Sequence, residues 1–150
     1  MEPKIRLGIS RCLLGDCVRY NGGHKLDSFL VETLGAYVEY LPVCPEVECG
    51  MGVPREPLRL VGETKLPRLV TCRTNRDCMQ QMQNWACKRI KELEQDRLCG
   101  FVFKSKSPSC GKEAVEVYSG TDGMAVLRGI GIFARAFMDH FPLLPVEDER

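Results

Sequence analysis

Residues 96–113, DRLCGFVFKSKSPSCGKE, change character within a few positions. A helix-forming segment ends on glycine, and the apolar run Phe101 to Phe103 then reads as a buried strand. The strand stops on a polar, serine-rich loop in which Pro108 stiffens the backbone and Cys110 stands next to Gly111. The same pattern occurs twice upstream. Lys4 to Ser10 carries Ile5, Leu7 and Ile9 as a strand, and RCLLGDCVRYNGGHK (11–25) follows with Gly, Asp and Asn breakers, so Cys12 falls at the strand's end. Tyr40 to Val43 is a short apolar strand leading into the Pro- and Gly-rich loop that opens with Cys44.

Between these strands lie segments with helical spacing. Lys25 to Val38 places Leu26, Leu30, Leu34 and Val38 on one face, and Asn75 to Asp96 does the same with Met79, Met82, Trp85, Ala86, Ile90 and Leu93. Strand and helix in alternation predict an α/β fold: a mostly parallel, Rossmann-like sheet with helices on both faces. In such sheets ligands bind beyond the carboxyl ends of the strands, which is where the three cysteines stand. The remaining elements are an Arg59–Val61 and Arg68–Thr71 hairpin expected to be peripheral, a strand over 113–118, a last helix over 127–140 and an edge strand over 143–146.

A chain of 150 residues suits a single domain spanning 1–150, which by size buries roughly 70% of its unfolded surface. The net charge of +1 offers no footprint for a long nucleic acid, so a small-molecule ligand is expected. No stretch approaches the roughly 20 apolar residues that span a bilayer, and nothing at the N-terminus reads as a secretory leader, so a cytoplasmic location with no membrane partner is expected. In a reducing compartment nine cysteines do not make a disulfide scaffold. Most buried cysteines are simply small hydrophobes, a reading that suits Cys72, Cys78, Cys87 and Cys99. Cys17 and Cys49 follow the strand-end cysteines at C-x4-C spacing, which matches no common zinc or ferredoxin run. Cys12, Cys44 and Cys110 together make a three-thiolate site, an incomplete shell for zinc or for a 4Fe-4S cluster that leaves one position open.

The blocks ISRCLLGDCVRYNGGHK (9–25), LPVCPEVECGMGVPREP (41–57) and KSKSPSCG (104–111) resemble the bacterial thiouracil and 4-thiouridine desulfidases, over essentially the whole chain. The resemblance implies a 4Fe-4S cluster held by Cys12, Cys44 and Cys110. Its fourth iron takes sulfur from a thiocarbonyl base, giving the oxo form and hydrosulfide. The implied substrate is a thiolated nucleobase or nucleotide: 4-thiouridine monophosphate, which the tail favours, 4-thiouridine or thiouracil. The tail GIGIFARAFMDHFPLLPVEDE (129–149) is similar to a subgroup often fused to a C-terminal domain, so a separate chain carrying that domain, or a second copy of this chain, is an expected partner.

Water must attack carbon as hydrosulfide leaves, which requires a group that moves protons. Glu46, two residues after Cys44, is the candidate acid/base, the alternative being a loop carboxylate paired with Arg55 or Arg19. Ser107 is the preferred catalytic hydroxyl, with Ser105 its rival and Ser109 another flanking donor; either serine beside Pro108 could instead cap the loop backbone. Gly22, Gly23 and His24, taken as substrate-binding, form a turn able to approach the cluster or present backbone N–H groups to an anion, the alternative for His24 being a buried structural histidine, and Arg19, Arg55 and Lys104 are candidate phosphate ligands. A non-catalytic zinc or iron-sulfur module, closed by Cys17 or Cys49, is the competing function.

Overall fold

The computed structural model describes residues 4–119 and 125–150. Its elements run β1 (Ile5–Ser10), β2 (Val38–Val43), a one-turn α1 (Pro45–Glu48), β3 (Leu58–Gly62), β4 (Pro67–Thr71), α2 (Met79–Glu94), β5 (Gly100–Phe103), β6 (Val115–Tyr118), β7 (Ala125–Gly129), α3 (Ile132–His140) and β8 (Val146–Asp148). The first sheet has the order β2-β1-β5-β8 and all its pairings are parallel, as the alternation predicted. The chain leaves β1 toward β2 and later returns to its other side as β5. The strand ends around β1 therefore form the crevice in which open parallel sheets place ligands.

One face of this sheet is covered by α2 and α3. Met79, Met82, Ala86, Ile90 and Leu93 form the buried stripe of α2. Phe101 and Phe103 of β5 meet Phe133 and Phe137 of α3 in a cluster where every ring is at most 1% exposed. Each buried ring contributes on the order of 2 kcal/mol of apolar transfer, and the edge-to-face geometry adds to it.

The other face is thinner than predicted. In place of an α-helix over 25–38 there is one π-helical turn, Phe29–Thr33, and a 3-10 turn, Leu34–Ala36. Of the four residues at helical spacing, Leu30 packs with Ile9, Leu13 and Val102, Leu34 lies only at the edge of that cluster, Leu26 is exposed and Val38 starts β2. The Tyr40 hydroxyl donates to the Leu30 carbonyl at 2.7 Å, closing the helical turn against the strand that follows.

The Arg59 and Arg68 hairpin is not peripheral. It forms β3 and β4 of a second sheet, order β4-β3-β6-β7, with its own core of Leu60, Leu69, Met82, Val115 and Val117 beneath α2. The helix expected over 127–140 is divided for a related reason: residues through Gly129 pair antiparallel with β6, and α3 starts only at Ile132. A side chain at Gly129 would press on Val117 at 2.9 Å, so glycine permits that pairing.

Candidate active site

Three strands of the parallel sheet deliver three cysteines to one cavity of about 390 Å³, a size common for small-molecule sites. Cys12 lies in the 3-10 turn that follows β1 directly, Cys44 follows β2, and Cys110 ends the loop after β5. All three line the cavity, with Glu46, Arg19, Arg55, Lys104 and the serines of the 105–109 loop. Cys17 and Cys49 do not line it; Cys49 instead hydrogen-bonds the Glu46 carbonyl and packs toward the second core.

The Cys110 loop is fixed by α3. The first amides of a helix have no partner within it. Here Ile132 N donates to the Pro108 carbonyl (3.0 Å), Phe133 N and Ala134 N donate to that of Ser109 (2.9 and 3.1 Å), and Gly131 N donates to that of Gly111 (2.7 Å). Backbones can approach this closely only at glycine. A β-carbon at Gly131 would stand 2.6 Å from the Ser109 carbonyl carbon, and one at Gly111 2.2 Å from a Val115 methyl. The Ser107 hydroxyl oxygen accepts the amides of Ser109 (3.1 Å) and Cys110 (3.0 Å), so Ser107 braces the turn and keeps its own proton for donation.

Glu46 makes the Arg55 pairing that was its alternative reading, and does so at the wall of the cysteine cavity. One carboxylate oxygen accepts Arg55 Nε at 2.9 Å and the other accepts the Ser109 hydroxyl at 2.9 Å, from a residue 63 positions away. Its side chain is only 14% exposed and that of Arg55 8%. Arg55 also donates to the Gly52 carbonyl at 2.8 Å, so its guanidinium is held as a partner of Glu46. Arg19 lines the cavity with its guanidinium 5.4 Å from the Tyr20 ring centre.

Burial pushes the Cys12 thiol up to about 11, against the pull of the nearby Lys104 and Arg19. Cys44 and the fully enclosed Cys110 are raised by burial as well, and at Cys110 a hydrogen bond from Ser10 works the other way. Cys12 feels the charge of Cys44, and Cys110 that of both Cys44 and Cys12, which couples the three electrostatically.

Ser105 is buried, and its hydroxyl donates to Glu149 at 2.8 Å, so this proton is already committed. Gly22, Gly23 and His24 are not among the cavity residues. Their turn closes on itself through Gly22 N to the Arg19 carbonyl, and the exposed His24 accepts the Leu26 amide on Nδ1 at 3.1 Å. Of the cysteines taken as small hydrophobes only Cys78 is buried; Cys72 is half-buried, and Cys87 and Cys99 are exposed.

Three supporting residues escaped the sequence reading. Ser10, 2% exposed, accepts the Lys104 amide at 2.8 Å and touches Cys110; its polarity at the end of an apolar strand was a readable signal. Glu48 caps the Cys44 amide at 2.8 Å and meets Arg89 of α2 at 3.1 Å, and its place four residues after Cys44 was a capping cue. Glu149 gave no local cue at all.

The geometry can be set beside known proteins. Residues 7–149 match the family model described as 2-thiouracil desulfurase. The chain belongs to the 2-thiouracil desulfurase family. This bears out the expected family and the expectation of an enzyme of that class. A solved structure of the [4Fe-4S]-dependent thiouracil desulfidase TudS is similar at 30% identity and a TM-score of 0.74, covering 99% of this chain and 91% of TudS. A Bacillus subtilis (strain 168) protein, the uncharacterized YbbK, is 29% identical over 132 residues, or 84% of this chain and 85% of YbbK. Among the described residues no helix is long and apolar enough to cross a membrane.

Proposed function

We propose that the protein is a [4Fe-4S]-dependent desulfidase of thiolated pyrimidines, with Cys12, Cys44 and Cys110 as the cluster ligands and Glu46 as the proton-moving group. The observation that carries this reading is the convergence of three thiols and the Glu46–Ser109 pair on one cavity. The donor set suits the cluster: three soft thiolates on separate loops, with a position left for substrate. Among the described residues no three His, Cys, Asp or Glu side chains close round a single metal ion. Burial keeps the free thiols protonated, so loading the site releases protons and is favoured as pH rises.

When bound, the cluster supplies an open, thiophilic iron that acts as a Lewis acid on the C=S group. The chain supplies the rest. Glu46 accepts two hydrogen bonds as a carboxylate and takes a proton from the attacking water as the water oxygen joins the carbon. The same carboxyl returns that proton to sulfur, the C–S bond breaks with its electron pair on sulfur so that hydrosulfide leaves, and the proton of the new hydroxyl passes to solvent as the C=O group forms. Ser109 orients Glu46 and Arg55 holds it from the other side, while Ser107 has a hydroxyl proton to offer the substrate. A nucleotide phosphate would meet Arg19 and Lys106 at the cavity wall, which supports 4-thiouridine monophosphate over the free base.

The test is anaerobic reconstitution followed by sulfide release from 4-thiouridine monophosphate, 4-thiouridine and 2-thiouracil. Loaded protein is expected to be brown, with absorption near ~400 nm, and to release sulfide. Glu46→Gln should keep the colour and lose roughly 10²- to 10⁴-fold in turnover. Cys110→Ser should lose both. Bound zinc with no sulfide from any substrate would instead establish the non-catalytic module.

A further inference from the structure

Glu149 makes more contacts with the reaction cavity's wall than any sequence pattern suggests. β8 lies parallel to β5 with Asp148 opposite Phe103, so the residue after β8 reaches the residues after β5. There the Glu149 carboxylate accepts the Ser105 amide at 2.7 Å and the Ser105 hydroxyl at 2.8 Å, and holds the Lys104 ammonium at 2.9 Å. Both members of the ion pair are largely buried, at 18% and 17% exposure. Lys104 and Ser105 line the cavity and Glu149 does not. Lys104 is tied in twice more, by its amide to Ser10 and by its ammonium to the Ser105 carbonyl at 2.9 Å.

We propose that Glu149 is a positioning residue, which fixes the Lys104 ammonium at the cavity wall beside Cys12 so that its charge offsets the negative charge gathered there during sulfur removal. The inference rests on the desulfidase reading for its catalytic part. With Glu46 already paired to Arg55, a departing hydrosulfide adds negative charge beside three thiolate ligands in a small, partly desolvated volume, where a fixed cation acts more strongly than one reorganising in solvent. A lysine side chain left to itself has four rotatable bonds and would find water. Three acceptors, the Glu149 carboxylate, the Ser105 carbonyl and the Ser105 hydroxyl, hold the ammonium in place. Glutamine at 149 would still accept the Ser105 amide, but it would lose the charge that retains the ammonium.

Two readouts separate this role from a merely structural one. In the full chain without cluster, mass spectrometry follows acetylation of Lys104, with the exposed Lys4 as internal control. Glu149→Gln should raise Lys104 labelling several-fold, leave Lys4 unchanged, and be reversed by Glu149→Asp. In the loaded enzyme Glu149→Gln should lower kcat/KM roughly 10- to 100-fold, as losses of outer partners do. Made in a Lys104→Met background, it should cost almost nothing further. Additive losses, unchanged Lys104 labelling, or a lower Tm with full turnover would each overturn the proposal. Glu149→Asp and Lys104→Met carry the test if the glutamine variant does not fold. Absence of sulfide release from every thiopyrimidine would defeat the desulfidase reading while leaving the labelling result to stand alone.

Discussion

Cys110 sits on a loop whose carbonyls take up the unpaired amides at the start of α3, whereas Cys12 sits in a 3-10 turn followed by a segment bonded mainly to itself. Around Cys110 the backbones touch and the thiol is 4% exposed. Beyond Cys12 the chain runs through exposed Gly22 and His24, held by short-range bonds such as Arg19 N to the Gly23 carbonyl at 3.1 Å and by one outside link, Arg55 N to the Tyr20 carbonyl at 2.8 Å. The two sides of the cavity therefore contribute differently. The α3 side fixes geometry to the precision that packed backbone gives, and the Cys12 side leads into the more loosely held segment.

The comparison is broken most directly at Gly131. Its φ of −59° suits any residue, so alanine there meets no conformational penalty and the whole effect is steric. The new methyl would lie 2.7 Å from the Ser109 oxygen and 2.8 Å from Gly111 N, both backbone atoms that cannot rotate away. Gly131→Ala is expected to destabilise the fold by roughly 1–3 kcal/mol, the range for overpacked sites. Because Ser109 holds Glu46, turnover should fall as well, with iron content reduced through Cys110. Chemical denaturation and iron analysis on the same preparation check both. A stable, fully active alanine variant would show that the loop is not fixed by α3.

How far the sequence reveals this arrangement depends on the range of the interactions. The three cysteines and Glu46 are legible because each falls shortly after an apolar run and Cys44, Glu46 and Cys110 lie beside Pro or Gly, signals contained within a few residues. That the sheet is parallel follows from the alternation of strands with helical spacing, whereas the order β2-β1-β5 is set only in the folded chain. The segment 25–38 misleads because its leucine spacing satisfies a helix, while Tyr40 bonds the Leu30 carbonyl and Val38 is drawn into pairing with Ile5. The second sheet is hidden because β3 pairs with β6, more than fifty positions along, and no local pattern records that register. Ser109 and Glu149 are assigned their partners across 63 and 44 positions, distances at which only the folded chain speaks.

Gly22 gives the converse of Gly131. It has φ of +79° and nothing within 4 Å of the site where a side chain would stand, so alanine costs backbone strain without collision. Gly22→Ala should lose about 1 kcal/mol, the penalty of a left-handed backbone for an L-residue. Steady-state kinetics then sharpen the comparison. A loosely held turn outside the cavity wall predicts that kcat is retained; a raised KM would assign the turn to substrate capture, and a large loss of kcat would mean that the Cys12 side is built as tightly as the Cys110 side.

The smallest expected effect is the acid response of the β8 attachment. Burial alone would push the Glu149 carboxyl up, but the Lys104 ammonium and the Ser105 amide and hydroxyl outweigh it and hold Glu149 below its ordinary value of 4.5. A carboxylate with a depressed folded value binds fewer protons folded than unfolded near that pH, so its stabilisation is present in full above about 4.5 and is lost as pH falls through the folded value. Glu149→Gln removes this dependence. The Tm gap between wild type and Glu149→Gln should therefore be widest near neutral pH and close as pH drops below the ordinary glutamate value. The ion pair should also weaken little with added salt, because both partners are shielded, whereas exposed pairs such as Arg11–Asp16 are screened. The absence of a gap at every pH would mean that Glu149 acts only through hydrogen bonds available to glutamine too, and that the Lys104 wall of the cavity is held by Ser10 and Ser105 alone.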